Sequence, residues 1–352
     1  MNFNIFFCFS LLLFIYYNIQ IIGSENQYGR NKHADIISDK LEEHQDRGDE
    51  EKQGETNRED MSIEPQYNGD KRKFILTKDD MSFTKMEPKI DAQPCADHQS
   101  VSIFILSTAT TEGRHYLKRE AQRKTWVSEA KENNISVYFV IGLSENQTTN
   151  QLLREESNQY KDMIQMQLID HYYNQTIKTV SILRWAQNKC NKSKLIIKSD
   201  DDIIINIDML LHNLNVFKSG ITGHKYWKPS VIRNPNKKCW FPKQKYKPDH
   251  LSPFVCGSFY AVTTDVIPKL LETLETYSDP VLDIEDQFVT GLLAEKAGVP
   301  RFDLPQLILR HSCNLEHKCE ISERIVITNC HSSEDLIQLY ENWKKINASK
   351  QC

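Results

Sequence analysis

The sequence lacks a strong net charge. Its 352 residues carry 44 lysines and arginines against 48 aspartates and glutamates, which gives a formal charge of −4 at pH 7. Proteins that bind nucleic acid or an anionic membrane surface usually carry a marked excess of positive charge. The composition therefore gives no reason to expect nucleic acid as a partner. The sequence also lacks an internal repeat, which excludes a solenoid or a propeller.

The first residues lack charge altogether. No charged residue occurs from Phe3 to Ile22, a run of about the length that crosses a bilayer as a helix. A cleavable signal peptide has a shorter apolar stretch and a small-residue cleavage site, for which Ile21–Ser24 is a poor match. We therefore expect residues 1–23 to form a short cytoplasmic tail and a signal-anchor membrane helix. Basic residues follow this span but none precedes it, so the charge distribution does not itself support this orientation.

Asn-X-Ser/Thr sequons place the rest of the chain in the secretory lumen. A single sequon arises readily by chance, but this chain has five in its C-terminal two-thirds. The asparagines are Asn134, Asn146, Asn174, Asn191 and Asn347. We expect N-linked glycans at these positions.

Eight cysteines lie outside the anchor, an even number that predicts up to four disulfides in an oxidising compartment. They are Cys95, Cys190, Cys239, Cys256, Cys313, Cys319, Cys330 and Cys352. Their pairing cannot be read from the sequence. The alternative is a zinc site built from Cys313, His317, Cys319, Cys330 and His331. In the secretory lumen, disulfides are the preferred interpretation.

Polar residues dominate the segment 24–97, where charges are dense and apolar residues have no period. Such a segment cannot bury enough apolar surface to offset the entropy lost on ordering. We predict a disordered lumenal stem over 24–97, including the short apolar cluster Lys73–Leu76. The catalytic domain is expected over residues 98–352.

Apolar runs of strand length alternate with helical patterns from Val101 onward. This alternation predicts an α/β domain with a mostly parallel sheet covered by helices on both faces. The predicted strands cover residues 102–107, 137–142, 163–168 and 195–198, and the predicted helices cover 116–130 and 176–188.

Three consecutive aspartates, Asp200, Asp201 and Asp202, end one of these apolar strands. In a parallel sheet, ligands bind beyond the carboxyl ends of the strands. Carboxylates this close repel one another unless solvent or a cation compensates them, and their hard oxygens suit Mg²⁺ or Mn²⁺. A metal there could hold a diphosphate. The alternative is a solvated acidic turn, which the apolar flanks disfavour.

Several motifs occur in the order and spacing of one enzyme family. Arg119–Trp126 matches an Arg-x-x-x-Arg-x-Thr-Trp motif, Tyr138–Gly142 matches the strand after it, and the three aspartates stand where a metal motif belongs. From Val101 to its C-terminus the chain resembles the β-1,3-galactosyltransferase family of inverting glycosyltransferases, family 31.

The resemblance implies a GT-A-type nucleotide-diphospho-sugar transferase domain in a single-pass type II Golgi membrane protein. It further implies UDP-galactose as donor, a glycan on a glycolipid or glycoprotein as acceptor, and a β1,3 linkage formed with inversion. Related sequences leave UDP-N-acetylglucosamine or UDP-N-acetylgalactosamine open as the donor. A non-catalytic glycan-binding or chaperone-like module on the same fold is the other alternative.

The resemblance also assigns roles to individual residues. Asp202 would bind Mn²⁺ or Mg²⁺, with His331 at the end of a late strand as a second ligand. Asp200 would lie near the ribose, with Asp201 beside it on the nucleotide-sugar side.

The segment Asp283–Gly291 resembles the acidic motif that supplies the catalytic base. Asp286 is the predicted base and Glu285 the second choice, since an inverting displacement needs a carboxylate near the acceptor hydroxyl. The alternative is that both acids only charge the first turn of a helix running to Lys296.

Arg119 and Arg123 are four residues apart and share one helix face. They either bind the nucleotide-sugar phosphates or pair with acids. On the acceptor side the resemblance points to Trp240, Gly257 and Tyr260. That side also departs most from the family, since Leu251 and Phe254 replace tyrosines, Phe259 replaces a glycine and Gln287 replaces a valine. These departures put the acceptor in doubt, and with it the donor sugar.

Overall fold

A mixed β-sheet lies at the centre of the fold. The computed structural model describes residues 72–304, 308–309, 324–327, 330 and 332–349. The strands in these ranges are β1 (Ile75–Leu76), β2 (Val101–Leu106), β3 (Ser136–Leu143), β4 (Met163–Ile169), β5 (Leu195–Asp200), β6 (Ile204–Ile205), β7 (Ile221–Tyr226), β8 (Phe254–Thr263), β9 (Val281–Leu282), β10 (Arg301–Asp303), β11 (Ile308–Leu309) and β12 (Val326–Ile327).

The central sheet has seven strands in the order β10-β7-β8-β5-β2-β3-β4. Strands β5, β2, β3 and β4 run parallel, as the sequence predicted. Strand β8 is antiparallel to both of its neighbours, β5 and β7. The antiparallel strand brings the start of β8 to the edge of the sheet where β5 ends.

Helices cover both faces of this sheet. They are α1 (Lys78–Ser82), α2 (Gly113–Lys124), α3 (Trp126–Glu132), α4 (Gln147–Tyr160), α5 (Gln175–Lys189), α6 (Ile207–His212), α7 (Ile267–Glu275), a π-helix (Gln287–Leu293), α8 (Ala294–Lys296) and α9 (Ser333–Ser349). Alternate residues of the parallel strands enter two separate apolar cores, because successive side chains of a strand point to opposite faces. The α/β class predicted from the sequence is therefore confirmed.

The predicted helix over residues 116–130 is two helices. Thr125 separates α2 from α3 with φ −118° and ψ −122°, outside the helical region. Its hydroxyl donates to the backbone oxygen of Ala121 at 2.8 Å. The break lets Trp126 turn inward, where it is fully buried and its Nε1 donates to the Ile203 backbone oxygen at 3.2 Å.

The fold begins earlier than the sequence predicted. β1 pairs antiparallel with β9, so residues assigned to the disordered stem form part of the domain. The described chain extends back to Arg72, which precedes the predicted start of the catalytic domain at residue 98. The predicted anchor 1–23 and the stem up to residue 71 lie outside the described residues. Among the helices that the structure describes, none is long and apolar enough to span a membrane.

Cysteine pairing differs in part from the prediction. Cys95 and Cys190 form a disulfide, and Cys330 is also disulfide-bonded. Cys239 and Cys256 are free thiols, so the eight cysteines do not form four disulfides. The bond at Cys330 argues against the zinc alternative. The remaining members of that set, Cys313, His317, Cys319 and His331, lie outside the described residues, as does Cys352.

Candidate active site

The three aspartates at the end of β5, Asp200 to Asp202, lie in two different environments. Asp201 is buried, whereas Asp200 and Asp202 are partly exposed. Asp201 Oδ2 accepts a hydrogen bond from Ser107 at 2.8 Å and lies 2.8 Å from His115 Nδ1. Burial raises the pKa of Asp201, but His115, Lys118 and Ser107 outweigh it and leave the pKa below its usual value. The Asp201 carboxylate thus forms its contacts inside the fold, and its role on the nucleotide-sugar side stays a prediction.

The negative charge of Asp202 is balanced only in part, by the nearby Lys118. Burial, followed by the charge of Asp200, raises the pKa of Asp202 to about 6. Among the described residues, no lysine, arginine or histidine forms an ion pair with its carboxylate. The backbone N–H of Cys330 donates to the Asp202 carbonyl oxygen at 2.8 Å. The next residue, His331, lies outside the described part of the chain.

Asp202 fits a divalent cation in chemistry, because a cation would neutralise a partly buried carboxylate whose charge is balanced only in part. The described residues alone do not complete such a site. Within them, no group of three or more His, Cys, Asp or Glu side chains could hold a metal ion. The predicted ligand set of Asp202 and His331 stays a prediction.

Lys198 on β5 connects the aspartates to the acids of the second motif. Its side chain is 3% exposed, and its Nζ donates to Asp200 Oδ1 at 2.6 Å and to the Gly257 carbonyl oxygen. Glu285 Oε2 lies 3.6 Å from the same nitrogen. Although burial lowers the pKa of this lysine, Asp200 and Glu285 outweigh it and raise the pKa, so Lys198 stays charged. No role was predicted for Lys198, but a lysine inside a buried strand is rare unless it is paired, which is a signal that could have identified it.

Glu285 is buried at 4% exposure and already bonded. The Tyr260 hydroxyl donates to Glu285 Oε1 at 2.6 Å. Burial, together with the charge of Asp286, raises the pKa of Glu285 to about 7 despite the nearby Lys198. Glu285 therefore takes up a proton near neutral pH and cannot reach solvent.

Asp286 is partly exposed, and its carboxylate is oriented by two backbone groups. The N–H of Gly257 donates to Oδ2 at 2.9 Å, and the N–H of Gln287 donates to Oδ1 at 2.8 Å. Burial is the main cause that raises the pKa of Asp286. The Asp286 side chain also caps the π-helix, because its Oδ1 accepts the N–H of Gln287. The alternative role at a helix terminus therefore describes one of its two oxygens. π-Helical turns occur often at functional sites.

Gly257 allows β8 to approach the acid pair. A Cβ atom at this position would lie 3.1 Å from Glu285 Oε2 and 3.3 Å from Asp286 Oδ2. Both contacts are tighter than those of ordinary side chains, so a larger residue would displace the acids. The structure therefore brings Gly257 and Tyr260 to the acids themselves. Tyr260 is 1% exposed, which leaves its hydroxyl for Glu285 rather than for a substrate.

The two predicted sets of acids meet in one place. Lys198 Nζ lies 2.6 Å from Asp200 Oδ1 and 3.6 Å from Glu285 Oε2, and Asp202 and Asp286 follow these two acids within two residues of the chain. The carboxyl edge of β5 and the start of the π-helix thus form one acidic site around Lys198.

Arg119 and Arg123 lie elsewhere. Arg119 is fully buried and forms an ion pair with Glu156 at 2.7 Å. Arg123 pairs with Glu156 at 2.8 Å and with Asp162 at 2.9 Å, and its guanidinium lies 3.9 Å from the ring centroid of Tyr160. Both arginines thus pair with acids, as the alternative reading expects, and their role at the nucleotide sugar stays a prediction. Arg119 still orders the loop after β2, by donating to the Thr108 carbonyl oxygen at 3.0 Å.

The acceptor-side residues have mixed outcomes. The ring of Trp240 packs edge-on against Phe74 at 5.0 Å, and its carbonyl oxygen accepts a hydrogen bond from Arg72 at 2.7 Å. The replacements at Leu251, Phe254 and Phe259 are buried in the apolar cores. Gln287 is buried, and its Oε1 has no hydrogen-bond partner among the described residues.

Sequence reasoning missed Tyr172 and Cys239, whose hydroxyl and thiol lie 3.9 Å apart. Burial, followed by the charges of Cys239 and Asp286, raises the pKa of Tyr172 well above its usual value. Burial and the charge of Asp286 likewise raise the pKa of Cys239 to about 11. No spacing in the sequence connects these residues to Asp286.

The predicted glycosylation positions are accessible where the structure describes their side chains. Asn134, Asn146 and Asn191 are exposed and Asn174 is half-buried, with its Nδ2 donating to the Ile169 carbonyl oxygen at 2.8 Å. The side chain of Asn347 lies outside the described set.

A mixed α/β sheet with a cluster of acids at its carboxyl edge defines a class of proteins that bind ligands at that edge. A family model described as Galactosyltransferase matches residues 117–305, more than half of the chain, and the chain belongs to this family.

Curated relatives agree with this membership. Beta-1,3-galactosyltransferase 5 of Gorilla gorilla gorilla is 28% identical over 234 residues, which cover 65% of this chain and 75% of the relative. Beta-1,3-galactosyltransferase 1 of Mus musculus is 30% identical over 209 residues, which cover 56% of this chain and 62% of the relative.

Among solved structures, the bifunctional glycosyltransferase WbbM aligns with a TM-score of 0.37 at 11% identity, over 75% of this chain and 52% of that one. A glycosyltransferase involved in glycosylation of the major capsid of PBCV-1 also has a TM-score of 0.37. It is 8% identical, over 68% of this chain and 98% of that one.

Proposed function

We propose that this protein transfers galactose from UDP-galactose to the 3-hydroxyl of a glycan acceptor, forming a β1,3 linkage with inversion. The carrying observation is the partly exposed carboxylate of Asp286, oriented by two backbone N–H groups beside Asp200 in a galactosyltransferase-family chain. Relatives described as beta-1,3-galactosyltransferases support the sugar and the linkage. The domain is proposed to be of the GT-A type.

Asp286 is the proposed general base. The acceptor oxygen attacks the anomeric carbon of the donor as the bond from that carbon to the diphosphate oxygen breaks. The hydroxyl proton passes to the Asp286 carboxylate, and UDP leaves with the bonding electron pair. A single displacement of this kind inverts the anomeric configuration. A raised pKa suits the role, because a base works best when its pKa approaches the working pH.

Glu285 and Lys198 are proposed to support this base. Glu285 is buried and accepts the Tyr260 hydroxyl, so it has neither the exposure nor a free geometry for proton transfer. Lys198 offsets part of the negative charge of Asp200 and Glu285. Asp286 can then remain ionised beside two other acids, which is the state a base needs.

Asp200 and Asp202 are proposed to form the nucleotide side. The side chain of Asp200 is 37% exposed and can reach the ribose. Asp202, with His331, would hold Mn²⁺ or Mg²⁺. When bound, such an ion offsets the charge of the diphosphate leaving group. The incompletely balanced charge of Asp202 supports this assignment.

The proposed setting is the Golgi lumen, with residues 1–23 as a type II membrane anchor and the following residues up to 71 as a stem. The disulfide between Cys95 and Cys190 supports an oxidising compartment. The exposed sequon asparagines Asn134, Asn146 and Asn191 agree with lumenal glycosylation.

A donor screen tests the proposal. The full chain in detergent is offered UDP-galactose, UDP-N-acetylglucosamine or UDP-N-acetylgalactosamine with simple glycan acceptors, in Mn²⁺ or in EDTA. We expect acceptor-dependent UDP release with UDP-galactose and Mn²⁺, and a β1,3 product by NMR. Preference for either N-acetylated donor would replace the sugar in the proposal. Acceptor binding without transfer from any donor would favour the non-catalytic module.

A further inference from the structure

Arg72, from the segment that the sequence assigned to the stem, is buried beside the candidate active site. The side chains of Arg72 and Asp283 are each 0% exposed. Nε of Arg72 donates to Asp283 Oδ2 at 2.7 Å, and Nη2 donates to Oδ1 at 2.8 Å. This two-bond fork fits arginine, and lysine cannot reproduce it. Asp283 precedes Glu285 by two residues, so the pair lies directly before the acids.

Backbone pairing reinforces this connection. The N–H of Phe74 donates to Asp283 Oδ2 at 3.1 Å, and the N–H of Asp283 donates to the Phe74 carbonyl oxygen at 3.0 Å. The register of β1 against β9 places Ile75 opposite Leu282. Segment 72–76 therefore fixes the chain that leads into Glu285 and Asp286.

The same guanidinium also holds the acceptor-side segment. Nη1 of Arg72 donates to the carbonyl oxygens of Trp240 at 2.7 Å and Lys238 at 3.3 Å. The guanidinium carbon lies 4.3 Å from the ring centroid of Tyr173 and 4.9 Å from that of Phe241. Arg72 thus joins three stretches of chain, 172–173, 238–241 and 281–283. The first two stretches carry Tyr172 and Cys239, whose hydroxyl and thiol lie 3.9 Å apart, and the third leads into Glu285 and Asp286.

We propose that Arg72 is a positioning residue that sets the acid pair against segment 238–241 on the acceptor side of the site. Arg72 acts through the Asp283 carboxylate and through the two carbonyl oxygens of segment 238–241. The inference rests on the proposed function, since it takes Asp286 as the base. Displacing a catalytic group by about 1 Å can lower a rate by about 100-fold. Arg72, at the end of the predicted stem, then contributes to catalysis by positioning the acid pair.

The test uses the full chain with Arg72→Lys, Asp283→Asn and the double variant. Arg72→Lys keeps the charge but loses the fork, so we expect kcat for transfer to fall roughly 10- to 100-fold, with UDP affinity unchanged. The double variant should lose no more than the worse single variant, because both changes break one contact. Lys73→Met is the matched control, since Lys73 is 58% exposed and pairs with Asp80. It should transfer like the wild type.

A second readout separates this inference from the proposed function. In a Cys256→Ser background, the rate at which N-ethylmaleimide alkylates Cys239 reports on segment 238–241. Arg72→Lys should raise that rate by about tenfold at a temperature where the protein stays folded, because local opening becomes easier.

Three outcomes would overturn the inference. They are wild-type kcat in Arg72→Lys, parallel loss of UDP affinity and transfer, or an unchanged alkylation rate. If the wild type transfers no sugar, the proposed function fails and takes the catalytic part of this inference with it. Faster alkylation would then still establish that Arg72 holds segment 238–241.

Discussion

The domain contains two clusters of buried charge, and they differ in balance. The first, here called the arginine cluster, consists of Arg119, Arg123, Glu156 and Asp162. The second, the acidic site, consists of Lys198, Asp200, Asp202, Glu285 and Asp286. Both lie against the same central sheet. The comparison between them separates charge that maintains the fold from charge that is available to a ligand.

In the arginine cluster every acid has a cation. Glu156 is held by Arg119 and Arg123, and Asp162 by Arg123 and Lys131. Burial alone would raise the pKa of Glu156, but the two arginines outweigh it and lower the pKa. The same partners raise the pKa of Arg123. The charges of this cluster are therefore used in binding one another.

In the acidic site Lys198 forms ion pairs with Asp200 and Glu285, whereas Asp202 and Asp286 have no ion-pair partner among the described residues. The pKa values of Glu285, Asp286 and Asp202 are all raised, with burial as the main cause. Burying carboxylates in this way costs folding free energy unless something binds to them. Perturbed groups of this kind concentrate at functional sites. An excess of buried acids over paired cations thus indicates a functional site, whereas the number of buried charges alone does not.

Replacing Asp286 by asparagine should have the largest effect. Asparagine keeps the shape, but its single side-chain oxygen can accept only one of the Gly257 and Gln287 N–H bonds, and it cannot act as a base. We expect kcat for transfer to fall about 10³- to 10⁴-fold, while UDP affinity stays within about twofold. Steady-state transfer assays and calorimetric titration with UDP measure the two quantities.

Asp279→Asn is the control for this change, because Asp279 is 56% exposed and pairs with Lys296. It should leave both quantities unchanged. If Asp286→Asn turned over at the wild-type rate, another residue would be the base. The acidic site would then no longer be the functional one of the two clusters.

Replacing Arg123 by methionine should have the next largest effect, and on stability alone. The change leaves two buried acids with one cation each, so we expect the free energy of unfolding to fall by about 2–4 kcal/mol. Urea denaturation measures this loss. kcat per folded molecule should stay at the wild-type value, since Arg123 contacts no member of the acidic site.

Arg154→Met on α4 is the control, because Arg154 is exposed and its loss should cost little. If Arg123→Met kept its stability but lost donor binding, the arginine cluster would belong to the active site after all.

Much of the fold could be predicted from the sequence, because a continuous apolar run of strand length is typical of a buried strand. A strand such as β2, in which all six residues are buried, produces a continuous apolar stretch. The helix break at Thr125 could not be predicted from the sequence, because it depends on where Trp126 packs. β1 was missed because it has two residues and pairs with a strand about 200 positions later. Local composition carries no information about that partner.

The sequence predicted the kind of site better than the role of each residue in it. Acids at the end of an apolar strand indicated a ligand site, and Lys198 connects Asp200 at that position to Glu285 of the second acidic motif. Which of three adjacent aspartates turns inward depends on Ser107 and His115, which are distant in sequence. Arg119 and Arg123 have the same spacing whether they meet phosphate or carboxylate. Partners across the fold decide these roles, and a single sequence does not name them.

The smallest expected effect concerns pH and stability. The pKa of Glu285 is about 7 in the folded protein and near its ordinary 4.5 when unfolded. Between these values the folded state binds the extra proton. Its contribution to stability is therefore full below about pH 4.5 and is lost as the pH rises through 7. Glu156 contributes no such slope from pH 5 to 8, because its lowered pKa leaves it ionised in both states.

Glu285→Gln should remove this slope, since glutamine imitates the protonated form. We expect the wild type to lose about 1–3 kcal/mol more than the variant between pH 5 and 8, measured by urea denaturation at each pH. Glu275→Gln, at an exposed acid whose pKa is lowered by Lys85 and Arg184, should match the wild-type slope. Parallel curves for Glu285→Gln and the wild type would mean that Glu285 titrates normally. The acidic site would then be as well balanced as the arginine cluster, and imbalance would no longer distinguish them.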